Sequence, residues 1–294
     1  MTGIVYLNGA LLPKEKAGIS VDDYGFLSGA GLFETMRAYN GSIFRLERHV
    51  ERLFSSASLV GLAGKLHKDE LVQACEDTLK ANGLSEARVR LTVSMGEAGV
   101  FPGKVTSPTR LVTATPYTQP PQEEYKNGFR AYVTAFRQYS GATLAGIKST
   151  GYLPNLLARR SAEEHGCDEA IFLNEKGQIT EGSISNIFFI EADGRLVTPP
   201  LGAGPLPGVT RQAVFELAST KDVEAFESPT RLEDVPGCKE AFLTNSVAEV
   251  IPLVSIADGE RTFTIGSGRP GEVTSKLMVA YKDMVRKETG RLEM

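Results

Sequence analysis

Lys148 lies in LAGIKSTGYLPNLLARR, at the end of a strand-like run and ahead of a turn and a helix, where an amine can point into a cleft. An amine held there can form an imine with a carbonyl or, with its pKa lowered, act as a base. Taken singly it is also the commonest kind of solvated surface group. Glu181 follows in QITEGSISNIFFI, ending one strand before a Gly-Ser turn. Taken singly, such a carboxylate caps or braces a turn. GAGPLPGVTRQAVFELA then runs from a Gly/Pro loop into a helix through Gly208, Val209 and Thr210. Backbone N–H groups and a hydroxyl at a helix start can bind an anion, although the same residues also make an ordinary N-cap. Arg52 in FRLERHVERLF offers a planar fork for two phosphate oxygens, or a solvated helix surface. Ser246 in TNSVAEVIP offers a hydroxyl in a short turn.

Other residues say less. Arg88 and Arg90, two apart on RVRLTV, share one strand face and could bind a carboxylate or simply be solvated. Cys167 beside His165 has no third group nearby to complete a nucleophile, base and orienter, so an inert thiol is expected. Cys75, Cys167 and Cys238 are odd in number and lack a CxxC spacing, against a disulfide framework or a structural zinc site.

The elements that must position these groups follow from periodicity. IVYLNGALL reads as a hairpin turning at Asn8-Gly9. Residues 46–60 and 69–81 read as amphipathic helices, followed by strands in ARVRLTVSM and TRLVTATPY. The proline-rich TPYTQPPQEEYKNG marks a linker, which divides the chain into a small α/β domain (1–117), a linker (118–128) and a larger domain (129–294). In the larger part, FRAYVTAFRQY, DEAIFLNEKGQIT, SNIFFIEADGRLVT, EAFLTN and AEVIPLV read as strands. Helices are expected over 156–164, 211–219 and 275–287.

A length of 294 residues suits two cores, and 41% hydrophobic with 23% charged residues is ordinary globular composition. A net charge of -4 with interspersed signs supplies neither a nucleic-acid stripe nor a polybasic membrane anchor, which leaves small-molecule partners. The opening MTGIVYLNGALLPKEKAG has no basic region leading into an apolar run, so a cytoplasmic location is expected.

Taken together and in order, these segments resemble the fold-type IV pyridoxal-phosphate enzymes, the class IV aminotransferase family. The strand-end Lys148, the T-E-G-x-x-x-N motif holding Glu181, Ser185 and Asn186, and the L-P-G-x-T-R segment from Leu206 each match a family motif. So do the H-x-x-R-L containing Arg52, the Ser246 turn, and GFLSGAGLFETMRAY, which is similar to the family's G-x-G-x-F-E-T/G segment. The resemblance implies an α+β, two-domain fold like that of D-amino-acid aminotransferases, with the cofactor at the domain interface, and a homodimer. It implies pyridoxal 5'-phosphate carried on Lys148, which also serves as the base, with Glu181 toward the ring nitrogen and Asn186 also in the cofactor site. Arg52, Ser185, Leu206, Gly208, Val209, Thr210 and Ser246 would complete the cofactor site, mainly around the phosphate. Tyr152 either bonds the cofactor's phenolic oxygen or packs as a core aromatic, since branched-chain enzymes place their tyrosine one residue further on. Phe33, Thr35 and Arg90 would line the substrate pocket.

Members of the family differ in product. Thr35 after Phe33-Glu34 is similar to the aminodeoxychorismate lyases, whereas branched-chain enzymes have Gly there; Met95 stands where lyases and D-amino-acid enzymes have Arg. An aminotransferase between a branched-chain-like amino acid and a 2-oxo acid comes first, the lyase second, and a D-amino-acid or (R)-amine transaminase third. A catalytically silent binding protein is the contrasting class, disfavoured because Lys148, Glu181 and Arg52 are all retained.

Overall fold

The computed structural model describes residues 3–97, 107–142, 144–220 and 223–290. It divides into two compact units. The first comprises residues 1–118, 147–152 and 285–294, and the second comprises 119–146 and 153–284.

The first unit begins with β1 (Ile4–Leu7) and β2 (Ala10–Pro13), paired antiparallel as the Asn-Gly signal predicts. Asn8 and Gly9 both take positive φ, 50° and 103°, which matches the twist of a two-residue hairpin. Then come α1 (Tyr24–Ser28), β3 (Gly31–Tyr39), β4 (Ser42–Ile43), α2 (Leu46–Leu59), α3 (Lys68–Ala81), β5 (Ala87–Ser94) and β6 (Thr109–Pro116). The six strands form one antiparallel sheet in the order β2-β1-β6-β5-β3-β4. Strand alternation sends Leu32, Met36 and Ala38 of β3 and Val89, Leu91 and Val93 of β5 into one core with Val50 and Leu53 of α2 and Leu71 and Leu79 of α3. Each such Val, Leu or Met side chain contributes roughly 2 kcal/mol by burial. The other face of the sheet keeps Phe33, Thr35 and Arg90, with Phe33 opposite Thr92 and Thr35 opposite Arg90.

The second unit contains α4 (Gln122–Asn127), β7 (Phe129–Gln138), α5 (Leu153–Glu164), β8 (Glu169–Asn174), β9 (Ile179–Gly182), β10 (Asn186–Ile190), β11 (Leu196–Thr198), α6 (Val209–Thr220), β12 (Ala225–Glu227), β13 (Glu240–Asn245), β14 (Glu249–Ala257), β15 (Thr262–Thr264) and α7 (Glu272–Thr289), whose last residues, from 285, fall in the first unit. Its nine-stranded sheet runs β12-β11-β10-β13-β14-β7-β8-β9, with β15 on β14. β7 and β8 are parallel, and α5 crosses between them, packing Ala158 and Ala162 on Ala170 and Phe172. Because both faces are covered, β8 and β10 are buried throughout and show no alternation. Among the described residues no helix is long and apolar enough to cross a membrane.

Three differences from the sequence reading have physical causes. Residues 122–127 of the expected linker form α4, which Tyr125 anchors by donating its hydroxyl to Ala248 O at 3.1 Å. α5 begins at Leu153 rather than 156, since Pro154 in a first turn needs no N–H partner. α7 begins at Glu272 rather than 275 because the distant Glu240 carboxylate accepts from Val273 N at 3.0 Å and Thr274 N at 2.7 Å, satisfying two otherwise orphaned donors.

Candidate functional site

Lys148 is not on a strand. Gly141 and Gly146, with φ of 72° and 75°, break the apolar run before it, and residues 147–152 leave the second unit to lie along β3 of the first. Phe33 N donates to Lys148 O at 3.0 Å and Thr150 N donates to Gly31 O at 2.8 Å, so Lys148 is anchored through its own carbonyl and through Thr150. Its Nζ lies 4.6 Å from the Phe33 ring centre and 5.7 Å from that of Tyr152. The two rings meet edge to face at 5.2 Å. Tyr152 is half-buried beside the amine rather than packed in a core. The Arg90 guanidinium lies 3.9 Å from the same Phe33 ring, and Arg90 Nε donates to Thr92 Oγ1 at 3.2 Å. Burial, with Arg88 as a like-charged neighbour, lowers the Arg90 pKa. Lys148, Tyr152, Phe33 and Arg90 thus form one aromatic and cationic group in the first unit, with Thr35 across from Arg90.

Arg52 belongs to the helix face of the same sheet. Its Nε donates to Glu34 Oε1 at 2.8 Å and its Nη2 to Glu34 Oε2 at 2.5 Å, while His49 Nδ1 lies 2.8 Å from Glu34 Oε2. Glu34 and His49 are each 1% exposed. Burial raises the Glu34 pKa, but the Arg52 charge and the bonds from His49 and Arg52 outweigh it and hold the carboxyl at about 2. Burial lowers the His49 pKa despite its carboxylate partner. Glu34 and His49 went unread in the sequence as site residues. The H-x-x-R spacing, which puts His49 and Arg52 on one helix face, was the available signal.

A folded pKa near 2 against an ordinary 4.5 means that Glu34 stabilises the fold fully above about pH 4.5 and loses that contribution as pH falls toward 2, about 3 kcal/mol in all. Glu34→Gln should flatten this part of the acid limb while lowering stability at neutral pH. Urea unfolding at stepped pH checks it, and parallel acid limbs for the two proteins would contradict the ion cluster.

In the second unit Glu181 is the penultimate residue of β9, and Asn186 opens β10 after the turn between them. The Glu181 carboxylate accepts from Gln138 Nε2 at 2.9 Å, from Leu206 N at 2.9 Å and from Asn186 Nδ2 at 3.4 Å. Asn186 Nδ2 also donates to Leu206 O at 2.8 Å, tying the loop before α6 to the β9–β10 turn. Gly208 is required here, because a Cβ would sit 2.0 Å from Asn186 Oδ1. Val209 and Thr210 then start α6 with N–H groups that have no helical partner. Thr210 is 2% exposed, and its Oγ1 is a buried hydroxyl with no hydrogen-bond partner among the described residues. A buried, unsatisfied hydroxyl at a helix start fits an anion such as phosphate. Ser246 sits in a turn organised by Asn245, whose Oδ1 accepts from Val247 N at 2.9 Å and Ala248 N at 2.7 Å. Ser185 points its hydroxyl to Glu169 Oε2 at 2.8 Å. Gln138, Glu169 and Asn245 were unread as site residues, since nothing local distinguishes them.

Cys167 is bonded only weakly, to His165 O at 3.8 Å, and burial raises its thiol pKa, as an inert thiol requires.

Comparison with known proteins places this geometry in context. The family described as amino-transferase class IV matches residues 31–256. A Methanocaldococcus jannaschii protein with a provisional name of branched-chain-amino-acid aminotransferase is 37% identical, covering 95% of this chain and 96% of that protein. The aminodeoxychorismate lyase of Bacillus subtilis is 34% identical, covering 98% of each. Among solved structures, a T.th. branched-chain amino acid aminotransferase with pyridoxamine 5'-phosphate superposes with a TM-score of 0.89 at 28% identity, covering 100% of this chain and 96% of the other.

Proposed function

The chain belongs to the class IV aminotransferase family, and from that premise we propose a pyridoxal-phosphate-dependent aminotransferase that moves an amino group from a branched-chain-like amino acid to a 2-oxo acid. The observation that carries the reading is Lys148: backbone bonds at 3.0 and 2.8 Å fix its segment to β3, and its amine lies against the Phe33 and Tyr152 rings, the first of which also meets the Arg90 guanidinium. The names borne by the relatives support the branched-chain choice.

The residues present fit the cofactor. Thr210, the α6 N–H groups after Gly208, Ser246 and Arg52 would hold its phosphate, with Ser185 and Leu206 shaping the loops. Glu181, oriented by Asn186 and Gln138, would keep the ring nitrogen protonated, and Tyr152 would donate to the phenolic oxygen. When bound, pyridoxal phosphate supplies a carbonyl that condenses with amines and a ring that accepts an electron pair. Lys148 Nζ would hold the group and, as a base, would take up the proton at the donor Cα. Arg90, with Phe33 and Thr35 on the same sheet face, receives the substrate.

We include in this proposal a homodimer and a cytoplasmic location, supported by the family resemblance and the small-molecule chemistry. The lyase is the second reading, favoured by Thr35 and by the B. subtilis relative. Mixing the loaded protein with L-leucine, D-alanine or (R)-1-phenylethylamine and following release of pyridoxamine phosphate and the 2-oxo product separates the readings. L-Leucine is expected to convert the cofactor. Conversion by D-alanine or the amine alone would replace the substrate assignment, and pyruvate release from aminodeoxychorismate without pyridoxamine phosphate would establish the lyase.

A further inference from the structure

We propose that Glu169 is a positioning residue for Glu181, a carboxylate latch that fixes the β9–β10 turn and thereby the acid facing the ring nitrogen; this rests on the reading of Glu181 above. Glu169 begins β8 and is 3% exposed. Its Oε1 accepts from Ala170 N at 2.9 Å, from Ser183 N at 3.1 Å and from the Ser183 hydroxyl, while its Oε2 accepts from Ser185 Oγ at 2.8 Å. Three of these four donors belong to the turn between Glu181 and Asn186, and among the described residues no cation pairs with Glu169.

Two further bonds reach the backbone of the turn, from Ser183 N to Ala170 O at 2.9 Å and from Asn155 Nδ2 to Ser183 O at 2.8 Å, while Glu169 receives the Ser183 and Ser185 hydroxyls. Ile184, its one large apolar side chain, is 43% exposed. Gly182 N donates to Ser185 O at 2.7 Å, which narrows the turn but does not orient it. Its packing around the carboxylate is close: a Cβ on Gly182 would lie 2.2 Å from Ser185 Oγ and 3.0 Å from Glu169 Oε2. Removing the carboxylate would leave buried donors unsatisfied. Glu181 immediately precedes this turn and Asn186 immediately follows it, and those two residues share the bond at 3.4 Å and both bind Leu206. A turn released from Glu169 at its two serine hydroxyls would therefore shift the Glu181 carboxylate.

A structural role alone would cost stability; a positioning role alters the cofactor. The test titrates pyridoxal phosphate into cofactor-free Glu169→Gln, Glu181→Gln and the double variant, recording affinity, the pH dependence of the bound cofactor's visible band, and melting temperature. Expected for Glu169→Gln is an affinity loss of about tenfold, a band shift in the same direction as Glu181→Gln, and a double variant no weaker than Glu181→Gln alone. Ser183→Ala, which removes one donor and keeps the carboxylate, should shift the band the same way by less, and it decides the matter should Glu169→Gln fail to fold. Multiplicative losses in the double variant, or a lowered melting temperature with an unaltered band, would overturn the latch while leaving the Glu181 reading intact. An unaltered band in Glu181→Gln would overturn that reading, and the latch with it.

Discussion

Lys148→Ala is expected to lower transamination by at least about 1000-fold, since one side chain serves as both cofactor link and base. Its fold should survive. The bonds that anchor the segment run through the backbone, from Phe33 N to Lys148 O and from Thr150 N to Gly31 O, and neither needs the side chain. The amine is only half-buried and makes aromatic contacts at 4.6 and 5.7 Å, so stability should change by no more than about 1 kcal/mol. Steady-state rates with calorimetry check this, and added methylamine should restore part of the proton transfer. A variant retaining a tenth of the rate would place the base elsewhere.

Glu181→Gln is expected to cost about 100-fold in kcat with a much smaller change in KM, the pattern of a group that acts when charge develops. The neutral amide cannot hold a proton on the ring nitrogen. It would also present an N–H group to one of the donors that now meet the carboxylate, Gln138 Nε2 or Leu206 N. Because Leu206 leads into Gly208 and Thr210, a weakening of cofactor affinity should accompany the rate loss. Presteady-state rates of the first half-reaction give the comparison. An unchanged kcat would assign Glu181 to bracing the loop alone.

What could be read without coordinates was local. Asn8-Gly9 determines a hairpin from two residues, α2 and α3 declare themselves by apolar spacing, and Lys148, Glu181 and Thr210 are marked by motif. What escaped depends on partners distant in sequence. Glu34 and His49 become legible only when β3 lies on α2, Glu169 only when β8 lies beside the turn of 182–185, and the first turn of α7 only through Glu240. Arg52 was read as a phosphate grip or a solvated surface residue; its geometry adds an ion pair with Glu34 that neither description contains. Composition misled in one place, since a proline-rich linker also encodes α4, whose Tyr125 reaches Ala248 beside the Ser246 turn.

The central claim, that Lys148 carries pyridoxal phosphate, is tested most directly by reducing the loaded protein with borohydride, digesting it and locating the phosphopyridoxyl group by mass spectrometry. The group is expected on the peptide containing Lys148. Its appearance on another lysine, or its absence from a protein that still transaminates, would contradict the claim.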